Sequence, residues 1–316
     1  MDKIPSVDLR DFLSDNPERK QKFVNEIGKA YEEIGFVALK GHFLDDNLVD
    51  NLYGEVRNFF ELPLETKQKY EIQGIGGQRG YVGFGKETAK GFKKGDLKEF
   101  WHFGQYLQEG SKYATEYPDN VIVDELPKFN EVGKETYQML EKTGQYVLRA
   151  LALHLGLDEF YFDKYIAEGN SILRPIHYPP ITHEPDDAVR AAAHGDINLI
   201  TLLMGAQGKG LQVQNHNGDW IDAIAEPDEL MINVGDMLSR HTNNKLKSTI
   251  HRVVNPPREL WSTSRFSIPF FMHPVSEMPL NALEKTIDEN NPKLYPDTTA
   301  GEFLHERLVE LGLIKK

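Results

Sequence analysis

Seven short apolar segments between Ser171 and His273 constrain this chain more than any other feature. Leu173–Tyr178, Leu199–Met204, Leu211–Gln214, Trp220–Ile224, Leu230–Val234, Thr249–Val254 and Arg265–Met272 are rich in Ile, Leu, Val and Phe, and Pro, Gly, Asn and Asp separate them. Runs this short, recurring at roughly 8–12 residues, predict an antiparallel sandwich or barrel. Upstream the period changes. Phe129–Leu155 repeats apolar residues at three and four, which predicts one long helix able to back a sheet. The first hundred residues alternate short strands (Ile4–Leu9, Phe36–Leu39) with helices at Glu18–Ile34, closed by Gly35, and at about Asp45–Phe60. Gly74–Gly95 is glycine-rich and reads as a loop carrying two exposed aromatics, Tyr81 and Phe84. Thr299 and Glu302 have capping-box spacing before a last helix, Thr299–Leu313.

No Pro/Ser-rich linker parts the helical and strand-rich stretches, so the chain is expected to form one compact unit of mixed α/β (α+β) class. A region at 1–120 would pack on a core at 121–316. The formal net charge of -13 makes nucleic acid a poor partner, and the apolar runs are too short to span a bilayer. With no cysteine, thiol nucleophiles, thiolate metal sites and disulfides are excluded together. The polar start lacks the layout of a signal peptide, so a cytoplasmic location is expected. Gly74-Ile75-Gly76-Gly77 and Gly85-Lys86 do not make a nucleotide loop, because Glu87 stands where a hydroxyl should hold magnesium.

His194-Gly195-Asp196 sets an imidazole and a carboxylate two residues apart, on one face if the segment is extended. Such a pair alone is near what chance supplies. Its weight comes from a third donor, His251, at the start of another apolar run. Two neutral imidazoles and one carboxylate on one side of an octahedral ion leave three positions open, which suits non-haem Fe(II) and its need for a cosubstrate and O2. Zinc in a hydrolase is the competing use. Further on, Arg265-Phe266-Ser267 puts a guanidinium and a hydroxyl on one strand face, a receptor for a carboxylate, and Tyr178 offers a phenolic donor to the same group.

In the same order, the chain resembles the isopenicillin N synthase-like family of Fe(II)/2-oxoglutarate-dependent oxygenases over nearly its whole length. The resemblance rests on Ile4-Pro5-Ser6-Val7-Asp8, on Gly35-Phe36-Val37 to Gly41-His42, on Phe59–Lys67, and on Gly80-Tyr81 through Asp96, Lys98 and Glu99. It continues through His194-x-Asp196 with Thr201-Leu202-Leu203, Gly210-Leu211-Gln212-Val213, Trp220, Asn233-x-Gly235-Asp236, Lys247-Ser248, His251-Arg252-Val253 and Arg265-x-Ser267. It implies a double-stranded β-helix, or jelly-roll, core with Fe(II) on His194, Asp196 and His251. The distal carboxylate of 2-oxoglutarate would lie on Arg265, Ser267 and Tyr178, and O2 would complete the reaction. Oxidation of a small-molecule C–H bond, most often hydroxylation, would accompany decarboxylation to succinate. Where many plant members carry Asn-Tyr-Tyr before the prolines, this chain has Ile176-His177-Tyr178. His177, Asn198, Tyr81 and Phe84 are therefore expected near the prime substrate. Two other readings stay open at this level: an oxidase of the same family that uses no 2-oxoglutarate, and a non-catalytic jelly-roll sensor of a small molecule. The oligomeric state is not legible.

Overall fold

In the computed structural model, residues 3–86, 97–182, 190–204 and 210–310 are described. The chain opens with strand β1 (Ser6–Asp8) and a single helical turn, α1 (Leu9–Phe12). Helix α2 (Pro17–Glu33) begins where the Asn16 side chain accepts hydrogen bonds from the Glu18 and Arg19 amides, with Pro17 in the first turn. Gly35 ends it at a φ of +72°, a conformation that favours glycine, and releases the chain into β2 (Phe36–Lys40). Asp45 caps α3 (Asp46–Glu61) by accepting from the Leu48 amide, and α4 (Leu64–Gln68) follows. Then come β3 (Gly80–Val82), β4 (Glu99–His102), the long α5 (Pro127–His154) and the short α6 (Asp163–Ile166).

The predicted run Leu173–Tyr178 is divided at Arg174-Pro175 into β5 (Ile172–Leu173) and β6 (Ile176–Tyr178). The remaining strands are β7 (Ala191–His194), β8 (Ile200–Met204), β9 (Leu211–Gln214), β10 (Trp220–Asp222), β11 (Leu230–Val234), β12 (His251–Val253) and β13 (Arg265–Met272). Helix α7 (Asp236–His241) lies between β11 and β12, and α8 (Ala300–Glu310) comes last. Its capping box forms as the spacing predicts: Thr299 N–H donates to Glu302 Oε2 (2.9 Å) and Glu302 N–H to Thr299 Oγ1 (3.3 Å).

Nine strands make the larger sheet, in the order β1-β2-β11-β8-β13-β6-β4-β3 with β5 also on β13, and four make the smaller, β10-β9-β12-β7. From β6 to β13 the chain changes sheet at every connection except the β9–β10 hairpin. That alternation winds a double-stranded β-helix, so the core is a jelly roll. Strand period then sorts the side chains. Ile200, Leu202, Ile232, Val234, Ile268 and Phe270 join the core under α5, whereas Leu203, Met231 and Val213 pack between the sheets with Phe36 and Ala38.

Three features differ from the sequence expectation. The glycine-rich stretch contains β3, which pairs with β4, and Tyr81, expected on the surface, is 1% exposed because its ring lies against Phe59 and its hydroxyl reaches Glu99. Strand β7 has no signal in Ala191-Ala192-Ala193, which carries no β-branched side chain. The strands expected in a region merely packed on the core are woven into it, with β2 hydrogen-bonded to β11 and β4 to β6. The end of the predicted loop at 87–95, Asp96, His183, and Leu311 to Leu313 of the last helix lie outside the described residues. Among the described residues, no helix is long and apolar enough to cross a membrane.

Candidate metal centre

The smaller sheet brings two imidazoles together. β7 and β12 pair antiparallel with His194 directly opposite His251, and the ring centroids are 4.5 Å apart. His194 Nδ1 lies 2.6 Å from the Ala192 carbonyl and His251 Nδ1 3.2 Å from that of Thr249. A carbonyl only accepts, so each Nδ1 carries the proton and each neutral ring is left with a bare Nε2. Asp196 stands just beyond β7, in the turn rather than on the strand, and its Oδ1 is 4.0 Å from His194 Nε2 and 3.7 Å from His251 Nε2. Thr201 Oγ1 (2.6 Å, from β8) and Asn233 Nδ2 (2.8 Å, from β11) donate to the other oxygen, Oδ2. These two strands of the larger sheet aim the free oxygen at the imidazoles.

The three ligand atoms lie within 4.8 Å of one another. Ligands at about 2.0–2.2 Å from one first-row ion are at most about 4.4 Å apart, so a small rotamer adjustment closes the set on a single cation. The electrostatics agree. The protein around the His194 ring disfavours its imidazolium and the neighbouring His251 pushes the same way, against Asp196 and the Ala192 carbonyl, so the ring loses its proton more readily than a free imidazole, which favours ligation. Burial alone would raise the Asp196 carboxyl. His251 and His194 beside it, with the hydrogen bonds from Asn233 and Thr201, outweigh that and hold it below the ordinary carboxylate range.

Arg265 and Tyr178 are register partners of β13 and β6, and Ser267 is on the same face as Arg265, two residues on. Arg265 is buried, its guanidinium 5.1 Å from the Tyr178 ring centroid, and its Nε and Nη1 have no hydrogen-bond partner among the described residues. Unspent guanidinium donors inside a barrel suit a carboxylate brought from outside.

Of the residues expected near the prime substrate, His177 and Tyr81 meet on Glu99, while Asn198 hydrogen-bonds elsewhere and Phe84 is exposed. His177 is on the opposite face of β6 from Tyr178. Its Nδ1 is 2.7 Å from Glu99 Oε1, its Nε2 3.1 Å from Ser264 Oγ, and its ring stacks on Phe266. Strand alternation thus turns it away from the metal ligands. Tyr81 donates to Glu99 Oε2 (2.5 Å) in the same buried cluster, which Lys67 completes from α4. Asn198 is buried, and its amide donates to the Ile200 carbonyl and Thr201 Oγ1, so it supports the Asp196 clamp rather than lining an opening. Phe84 is exposed, as expected. Arg190, just before β7, carries no signal in the sequence: it is buried although charged, and the pairing of β7 with β12 is bulged between Ala191 and His194.

Fold and site define a jelly-roll protein with a facial two-histidine, one-carboxylate centre open on one side. The model of the non-haem dioxygenase N-terminal region, described for morphine synthesis, matches residues 4–125, and that of the 2OG-Fe(II) oxygenase superfamily matches residues 169–274. A 2-oxoglutarate-dependent dioxygenase, frbA, of Dothideomycetidae sp. (strain 11243) is 32% identical, over 97% of this chain and 96% of its own. Among solved structures, a Caulobacter crescentus protein described as of the 2OG-Fe(II) oxygenase family is 42% identical, with a TM-score of 0.89 over 98% of this chain and 100% of its own. A full-length Neurospora crassa protein, crystallised in complex with alpha-KG (2-oxoglutarate), is 30% identical, with a TM-score of 0.84 over 97% and 96% of the two chains. The chain belongs to the isopenicillin N synthase-like family of Fe(II)/2-oxoglutarate-dependent oxygenases. It is an oxidoreductase, a dioxygenase whose cofactors are Fe(II), 2-oxoglutarate and O2. The zinc hydrolase, oxidase and sensor readings give way to this one.

Proposed function

We propose that His194, Asp196 and His251 hold the Fe(II), that Arg265, Ser267 and Tyr178 bind the distal carboxylate of 2-oxoglutarate, and that the enzyme hydroxylates a C–H bond of a small molecule. The observation that carries this reading is the pairing of two buried arrangements in one barrel: a carboxylate turned toward two bare imidazole nitrogens, and an arginine whose donors are unspent. Bound Fe(II), 2-oxoglutarate and O2 supply the oxidising equivalents, with release of CO2 and succinate. The chain's own part is orientation. Thr201 and Asn233 fix the carboxylate, the Ala192 and Thr249 carbonyls fix the imidazole tautomers, and the Arg265 fork would anchor the far end of the cosubstrate. The His194 side chain, 45% exposed, marks the open side from which a substrate would approach.

Anaerobic reconstitution with Fe(II), followed by 2-oxoglutarate, tests the assignment through the visible charge-transfer band of the chelated cosubstrate. The wild type is expected to develop the band and Asp196→Ala to bind no iron while remaining folded. Arg265→Lys, which loses the bidentate fork, is expected to need 10- to 100-fold more 2-oxoglutarate, about 1.5–3 kcal/mol of charge-assisted hydrogen bonding. Full iron affinity in Asp196→Ala would refute the metal assignment.

A further inference from the structure

A second arginine converges on the cosubstrate pocket from the other sheet. Arg190 immediately precedes β7, the strand that ends on His194. It is 3% exposed, and its Nε and Nη2, like Nε and Nη1 of Arg265, have no hydrogen-bond partner among the described residues. The two guanidinium carbons stand 5.6 Å (Arg190) and 5.1 Å (Arg265) from the same Tyr178 ring centroid. Two sheets therefore bring two buried cations to one phenol, with no carboxylate against either among the described residues.

Leaving one guanidinium buried and unpaired is expensive, and placing a second beside it adds like-charge repulsion. Burial first, and then the charge of Arg265, push Arg190 down to about 10, which still leaves it protonated at neutral pH. Two buried guanidinium groups with unpartnered donors over one phenol call for an anion to balance them. The Arg265 fork, Ser267 and Tyr178 would already meet the four or so lone-pair sites of a carboxylate, so what a second buried guanidinium adds is charge, in a low-dielectric setting where a second cation strengthens the hold on an anion.

We propose that Arg190 is the second arm of the receptor for the distal carboxylate of 2-oxoglutarate, closing on it from the smaller sheet while Arg265 and Ser267 hold it from the larger. The inference rests on the reading of Arg265, Ser267 and Tyr178 given above. Its position favours the cosubstrate over the prime substrate. Arg190 is four positions before His194 in the sequence, and its guanidinium lies over the ring of Tyr178, the residue assigned to the cosubstrate.

The test is anaerobic calorimetric titration of Fe(II)-loaded protein with 2-oxoglutarate and with 2-oxopentanoate, which keeps the 2-oxo acid end and lacks the second carboxylate. Arg190→Met is expected to weaken 2-oxoglutarate at least tenfold and to leave 2-oxopentanoate unchanged. Its metal-free urea midpoint is expected to stay level or rise, since an uncompensated buried charge is removed, whereas a structural arginine would lower it. Arg265→Met is run beside it. If Arg265→Met weakens 2-oxoglutarate and Arg190→Met does not, the Arg190 inference is overturned and the pocket stands. If neither does, the pocket assignment falls with it. Equal weakening of both ligands by Arg190→Met, or a lowered urea midpoint, also overturns the inference.

Discussion

Thr201 is placed to govern an ion that it would not touch. Its hydroxyl donates to Asp196 Oδ2 and receives the Asn198 amide, so it links a metal ligand to the backbone of β8. Thr201→Val keeps the shape and removes the hydroxyl. The carboxylate retains Asn233 but loses the partner that opposes its rotation. Metal affinity is expected to fall about 10-fold, the lower end of what such supporting partners contribute. Stability should fall by about 1.5–3 kcal/mol for the hydrogen bond lost to a charged group. Competition titration with Co(II) and a chelator measures the first, urea unfolding the second; unchanged Co(II) affinity would show that Asn233 alone aims the ligand. At this scale the pair His194 and Asp196 is legible because two positions separate them, whereas His251 is 57 positions on from His194 and meets it only through the pairing of β7 with β12. His177, Tyr81 and Asn198 were not legible, since each is committed to a partner that the sequence does not place beside it. Glu99 is 78 positions from His177, and only the pairing of β4 with β6 makes them neighbours.

Between elements, contact depends on what is missing from the helix surface. The 28-residue α5 approaches the larger sheet and its flank through Gly133 and Gly144. A Cβ at Gly133 would lie 2.3 Å from the Phe103 ring, and one at Gly144 would lie 2.5 Å from Met272 Sδ. The two sites differ in how far the neighbour can yield. Met272 is flexible, whereas Phe103 is held in a cluster with Trp101 and Phe129. Gly133→Ala therefore sets a helix-propensity gain of about 1 kcal/mol against overpacking that typically costs about 1–3 kcal/mol. With a rigid ring as the obstacle, the strain wins. The variant is expected to unfold at lower urea, by about 1–2 kcal/mol, with its 2-oxoglutarate affinity unchanged because the site is on the far side of the sheet. A stabilised Gly133→Ala would mean that the helix can shift without cost. Helices were the most legible elements, since a 3.6-residue period over many turns outlasts local noise: Phe129–Leu155 was expected and Pro127–His154 found. Short strands fared less evenly. Leu211–Gln214, Leu230–Val234 and Arg265–Met272 fell where their β-branched and aromatic runs put them, whereas β3 and β7 depend on partners across the sheet.

In the whole molecule, the larger sheet ties the two ends of the sequence together. β2 binds the edge of β11, β1 runs parallel to β2, and on the other flank β4 adds to β6 with β3 outside it. The jelly-roll strands that carry the site, β6 to β13, thus have N-terminal strands on both open edges of their larger sheet. Phe36 of β2 packs edge-on to His251, with ring centroids 5.6 Å apart, so the N-terminal region also supports a metal ligand. A fragment comprising 121–316 would expose the hydrogen-bonding edges of β11 and β6, together with the apolar surface that α2 and α3 cover on α5. It is expected to aggregate or remain without a cooperative transition, rather than fold as a free-standing oxygenase core. In the full chain, unfolding is expected to be a single event seen alike by all three tryptophans. Trp101 is buried on the N-terminal side of position 120, and Trp220 and Trp261 lie beyond it. Single-tryptophan variants unfolded in urea make the comparison. Coincident midpoints fit one cooperative unit, whereas a Trp101 transition well separated from the others, or a soluble 121–316 fragment with a sharp transition of its own, would show that the jelly roll folds without its N-terminal strands.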